Sequence, residues 1–167
     1  MDQIAFFLPQ HAPTWLDVVA TPVLIFALGW LSVIDAKEFR LPDMGTIPLI
    51  AAGVFLAALR IRDIPGDALL GAFIGFGLFA AIGGFYFKKR GIEALGLRDA
   101  KLLAAAGAWL GWQALPLIIL IASLFGILLA VIRSQDVGGA IPFGPPLALA
   151  FILLWLAFCG PFVGFVF

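Results

Sequence analysis

Long uncharged runs separated by short charged segments dominate the chain. Residues 18–34, 44–59 and 68–87 contain no charged side chain. Each run is close to the roughly 20 apolar residues that a helix needs to cross a bilayer. The pattern therefore predicts three membrane-spanning helices in the first half of the chain.

Two further uncharged runs, 102–132 and 137–167, are too long for one crossing each. Gly111-Trp112-Gln113 and Pro116 interrupt the first of them, so we expect two helices there, which either both cross or form a re-entrant hairpin. Glycine and proline dominate the start of the second, which predicts a last helix from about residue 147 to the C-terminus. Because lipid offers the backbone no hydrogen-bond partner, the prediction is an all-α, polytopic bundle of about six transmembrane helices.

The composition agrees with a membrane protein. The 167 residues are 63% hydrophobic and 12% charged, against about 25% charged in a typical soluble domain. These values exclude a water-soluble globule, a disordered chain and a nucleic-acid binder. Cys159 is the single cysteine, which excludes a disulfide framework. With no repeat and no polar linker, residues 1–167 are expected to form one membrane-embedded domain.

The basic residues predict the orientation of the bundle. With the N-terminus outside, every Lys and Arg except Arg60 and Arg62 falls in an inner segment, as the positive-inside rule requires. The inner, cytoplasmic side therefore carries the charged segments.

Carboxylates are the candidate catalytic groups. His11 is the only histidine and precedes the first helix, which leaves no Ser-His-Asp triad in the membrane. No metal or cofactor motif is present. Asp35 ends the first run and Asp99 precedes the fourth, both on the predicted inner side; the alternative is that each is a boundary or N-cap residue.

Other residues have expected structural roles. Asp43 is expected to cap the start of the second helix. The pairs Gly71/Gly75 and Gly107/Gly111 have the spacing that lets two helices approach closely.

Four segments together resemble a known family. They are Ile-Asp at 34–35, Leu-Pro-Asp at 41–43, residues 94–112 and Ile-Pro-Phe-Gly-Pro at 141–145. They look like the peptidase domain of type IV prepilin peptidases, membrane aspartyl proteases with a Gly-x-Gly-Asp motif. The resemblance implies that Asp35 and Asp99 are the catalytic residues. It also implies cleavage of the leader of prepilins or secretion pseudopilins, at the cytoplasmic face of the bacterial inner membrane.

Arg98 departs from the family pattern, since the motif reads Gly96-Leu97-Arg98-Asp99 here. A catalytically silent relative that binds pilin-like helices is therefore an alternative, whereas a transporter is disfavoured by the uncharged runs. The family's Cys-x-x-Cys segment, associated with N-methylation, is not found, so methyltransferase activity is not assigned. Membrane lipids and pilin-like proteins are the expected partners, without nucleic acid; the oligomeric state is left open.

The positions of the two aspartates at helix termini suggest which of them would act as the base and which as the acid. Asp99 starts a helix, where the dipole favours a carboxylate, and Asp35 ends one, where it does not. The adjacent Arg98 and Lys101 add positive charge. We therefore expect Asp99 to be the base and Asp35 the acid, although the pair would titrate jointly.

Overall fold

The computed structural model describes residues 15–38, 42–61, 65–90, 97–133 and 143–158. Every regular element in these ranges is helical, which confirms the all-α prediction. His11, Cys159 and residues 141–142 of the Ile-Pro-Phe-Gly-Pro segment lie outside the described residues. The helices are α1 (Trp15–Glu38), α2 (Asp43–Ile61), α3 (Gly66–Arg90), α4 (Leu97–Leu110), α5 (Leu115–Arg133) and α6 (Gly144–Phe158).

Within the described residues, four helices are long and apolar enough to cross a membrane. They are α1, α2, α3 and the stretch Trp112–Ile132, which includes α5 up to its last residue but one, while α6 is apolar but shorter. The 14 residues of α4 span only about 21 Å, less than the ~30 Å hydrocarbon core. Its residues 102–110 are nevertheless all buried, so α4 is the internal helix of a multi-pass membrane bundle.

Glycines let α3 pack directly on α4. A Cβ added at Gly71 would lie 2.2 Å from the carbonyl oxygen of Gly107, and one added at Gly75 would lie 2.6 Å from that of Leu103. Distances this short leave no room for a side chain, so the two backbones touch. The predicted role of these glycines in close helix approach is confirmed.

The break between α4 and α5 falls where the sequence predicts it. Gly111 has φ +82°, and a 3-10 turn, Trp112–Ala114, follows it. Pro116 then lies in the first turn of α5, where the missing N–H costs no helical hydrogen bond.

The last helix begins at Gly144, three residues before the predicted start. Pro145 and Pro146 do not delay it, because proline is tolerated in the first turn of a helix. The Leu147 N–H donates to the Phe143 carbonyl at 3.1 Å, which closes that turn.

Contacts between the termini of the helices define two ends of the bundle. Asp35, Asp43, Arg98, Lys101 and Gly144 meet at one of them, which we call the Asp35 end. Asp17, Arg60 and Trp155 meet at the other, the Asp17 end. The end of α1 and the starts of α2, α4 and α6 therefore come together around Asp35.

Candidate active site

Asp35 lies on the buried stripe of α1. The buried residues of this helix follow one another at spacings of three or four, which puts them on one face; they are Asp17, Thr21, Leu24, Leu28, Leu31 and Asp35. The leucines hold that face against the core. Asp35 is consequently 0% exposed although it lies within one turn of the helix end.

Asp99 lies in the first turn of α4 and is 3% exposed. Its neighbour Arg98 reaches the end of α1, where the guanidinium Nη1 lies 3.9 Å from Asp35 Oδ1. The first turn of the internal helix is therefore beside Asp35. Both predicted aspartates are buried at the same end of the bundle.

The start of α6 supplies a hydrogen bond to Asp35. The backbone N–H of Gly144 donates to Asp35 Oδ2 at 3.1 Å, in a buried position. The sequence did not assign this contact, although residues 141–145 were among the segments that carried the family resemblance. A hydrogen bond between the N–H of Gly144 and an aspartate on another helix cannot be predicted from the order of residues alone.

Lys101 pairs with Asp43 at the start of α2. Its Nζ donates to Asp43 Oδ1, which links α4 to α2. Asp43 is the first residue of α2, and the Pro42 carbonyl accepts from Gly45 N–H at 3.0 Å. The capping role expected of Asp43 stays a prediction. Arg98 faces Asp35 and Lys101 faces Asp43, and the position of Asp99 at the start of α4 favours its negative charge.

A second polar cluster at the Asp17 end was not predicted. Arg60 donates to Asp17 in an ion pair whose side chains are 5% and 0% exposed. The sequence did contain a signal for this pair. Asp17 lies in the first turn of α1 and Arg60 in the last turn of α2, and both were predicted to lie on the outer side of the membrane. This cluster lies at the other end of α1 from Asp35. Within the described ranges, no group of three or more His, Cys, Asp or Glu residues could hold a metal ion.

A multi-pass helical bundle with two buried carboxylates at one end defines a membrane-embedded protein with a candidate acid–base site. Comparison with known proteins identifies its family. Residues 22–131 match the type IV leader peptidase family, and the chain belongs to this family. The resemblance found in the sequence is therefore confirmed.

Curated relatives match most of the chain. The prepilin leader peptidase/N-methyltransferase of Aeromonas salmonicida is 40% identical over 149 residues, which are 86% of this chain and 51% of the relative. That of Pseudomonas aeruginosa is 40% identical over 148 residues, again 51% of the relative. The leader peptidase HopD of Salmonella typhimurium is 39% identical over 149 residues, 84% of this chain and 96% of HopD.

The chain thus spans about half the length of the N-methyltransferase-type relatives and nearly all of HopD. No solved structure matches it.

Proposed function

We propose that the protein is an aspartic-type endopeptidase that removes the leader peptide of type IV prepilins or of pilin-like secretion pseudopilins. Asp35 and Asp99 are the proposed catalytic residues. The observation that carries the proposal is the burial of both carboxylates at one end of the bundle, with the first turn of α4 against the end of α1. The names of the relatives, prepilin leader peptidases, support the substrate class.

Two neighbouring carboxylates suit peptide hydrolysis because one can act as a base while the other acts as an acid. The base takes a proton from water, whose oxygen attacks the scissile carbonyl carbon, and the acid gives a proton to the leaving amide nitrogen. We assign the base to Asp99, since it lies at the N-terminus of α4, where the helix dipole favours negative charge.

One part of the substrate would reach this site from the lipid and the other from the cytoplasm. A pilin-like apolar helix can enter sideways from the lipid, while its basic leader stays in the cytoplasm. We therefore place the Asp35 end at the cytoplasmic face of the inner membrane, in agreement with the positive-inside rule.

One observation favours a second candidate, a silent family member that binds pilin-like helices. The Arg98 side chain is 32% exposed and its guanidinium faces Asp35 Oδ1. A guanidinium held against a carboxylate can block the approach of water. In this alternative, Arg98 keeps the site closed and the bundle acts in pilin assembly.

Reconstitution with a prepilin from the same genome tests both candidates. We expect the parent protein to shorten the prepilin, and Asp35→Ala and Asp99→Ala to lose cleavage while still binding the substrate. Asp67→Ala, an exposed position at the opposite end of the bundle, is the control and should keep full activity. A parent that binds without cutting, together with a cutting Arg98→Gly variant, would establish the silent alternative. Cleavage that survives Asp35→Ala or Asp99→Ala would exclude the two-aspartate mechanism.

A further inference from the structure

The Asp35 carboxylate has two oxygens in different surroundings. Oδ2 accepts the buried hydrogen bond from the Gly144 N–H at 3.1 Å. Oδ1 is buried, accepts no hydrogen bond within the described part of the chain, and faces the Arg98 guanidinium at 3.9 Å. One oxygen is thus held by the start of α6, while the other faces the first turn of α4.

We propose that Gly144 is a positioning residue that holds Asp35 through Oδ2 and leaves Oδ1 as the oxygen that exchanges the proton. The catalytic part of this inference rests on the proposed peptidase function. The positioning part rests on the contact between α6 and α1 and does not depend on the peptidase function.

Only glycine fits at position 144. A Cβ there would lie 2.4 Å from Asp35 Oδ2, 2.8 Å from Cγ and 3.2 Å from the Asp35 Cβ. Asp35 is 0% exposed, so in a close-packed interior its carboxylate cannot move without displacing neighbouring groups. An added methyl group must therefore turn the carboxylate away or push α6 off α1.

The first turn of α6 leaves one N–H for this purpose. Among residues 144–147, Pro145 and Pro146 carry no N–H, and the Leu147 N–H is used by the Phe143 carbonyl. Gly144 is the remaining donor, and it is the one that faces Asp35.

Packing around Phe143 fixes the start of α6. The Phe143 ring lies 6.3 Å, centroid to centroid, from that of Phe79 on α3. It also lies 3.3 Å from the position of a Cβ at Gly126 on α5. Two other helices therefore contact the residue that precedes Gly144, which helps to hold the Gly144 donor at the start of α6.

A double-mutant cycle read by thermal unfolding in detergent tests the contact without any need for activity. We expect Gly144→Ala to lower the unfolding midpoint by about 2–10 °C in the parent. In the Asp35→Ala background most of this loss should disappear, since the Oδ2 and Cγ atoms that the methyl group meets are then absent. Gly77→Ala is the control, because a Cβ there meets nothing within 4 Å, and its effect should be the same in both backgrounds.

Kinetics with a prepilin substrate test the positioning role. Gly144→Ala is expected to lower kcat by about 100-fold, since a displacement near 1 Å has that effect, and to change KM less than about twofold. If Gly144→Ala fails to fold, recovery of folding in the Asp35→Ala background gives the same support as the midpoint shift.

Two results would overturn the inference. An equal loss of midpoint in both backgrounds would show that the two residues are not coupled. Coupling between Gly144 and Asp35 in the cycle, together with an unchanged kcat of Gly144→Ala, would show that the contact does not position Asp35 for catalysis. A parent that never cleaves would refute the peptidase proposal instead, and the cycle would still decide whether Gly144 holds Asp35.

Discussion

Replacing Arg60 with glutamine would remove the guanidinium charge that pairs with the buried carboxylate of Asp17. The Asp17 side chain is 0% exposed and that of Arg60 is 5% exposed. The guanidinium carbon also lies 5.3 Å from the centroid of the Trp155 ring, a cation–π distance. Arg60 therefore joins α2 to both α1 and α6.

The burial of this pair sets the expected magnitude. Removing one partner of a buried ion pair costs about 3–5 kcal/mol, because the remaining charge stays desolvated. The lost cation–π contact with Trp155 adds to that cost, by about 0.5–2 kcal/mol. We therefore expect Arg60→Gln to lower the free energy of unfolding by at least ~3 kcal/mol. The double variant Asp17→Asn/Arg60→Gln should lose less stability than Arg60→Gln alone, since it removes the charges of both partners of the buried pair.

Unfolding by SDS in mixed micelles, followed by tryptophan fluorescence, measures these differences. Asp67→Ala is the matched control, an exposed acidic residue in the first turn of α3 at the same end, and should change the stability by less than about 0.5 kcal/mol. A loss below ~1 kcal/mol for Arg60→Gln would refute the reasoning. So would a double variant that is less stable than Arg60→Gln.

Three more substitutions test the packing. Gly107→Ala should lower the free energy of unfolding by about 1–3 kcal/mol, because its Cβ would lie 2.1 Å from the Gly71 carbonyl oxygen. Gly111→Ala should cost about 1–3 kcal/mol, since φ +82° and ψ 167° suit glycine alone. Trp109→Phe should cost about 1 kcal/mol through loss of the 2.7 Å hydrogen bond from its Nε1–H to the Leu49 carbonyl. SDS unfolding measures all three.

Gly77→Ala serves as the control for the two glycine variants, since its Cβ meets nothing within 4 Å. If Gly107→Ala were as stable as Gly77→Ala, direct backbone contact between α3 and α4 would be excluded. The same result for Gly111→Ala would show that the turn tolerates a side chain. Trp109→Phe without effect would show that the indole hydrogen bond contributes nothing to stability.

The helices could be predicted because the chain itself encodes their lengths. A membrane admits only segments whose backbone hydrogen bonds are internal, so uncharged runs mark helices directly. The break near Gly111 was predictable for a local reason, since glycine and proline act on their own stretch of chain. The early start of α6 at Gly144 was missed because Pro145 and Pro146 are compatible both with a loop and with a first helical turn.

The partners of the site residues could not be predicted in the same way. Asp35 and Asp99 stood out as carboxylates at helix ends, but charge next to Asp99 in the sequence did not reveal where that charge points. Arg98 faces Asp35 and Lys101 faces Asp43. On a helix, consecutive side chains point in directions about 100° apart, so residues close together in the sequence contact different partners.

α6 connects the two polar ends of α1. At the Asp35 end its Gly144 N–H donates to Asp35, and at the Asp17 end its Trp155 Nε1–H donates to Thr21 Oγ1 at 2.9 Å. Thr21 in turn donates to the Asp17 carbonyl. Because both hydrogen bonds run from one helix to the same buried face of α1, they fix the register of α6 along α1. The hydrogen bond from Trp155 to Thr21 at the Asp17 end thereby helps to keep the Gly144 donor in line with the carboxylate at the Asp35 end.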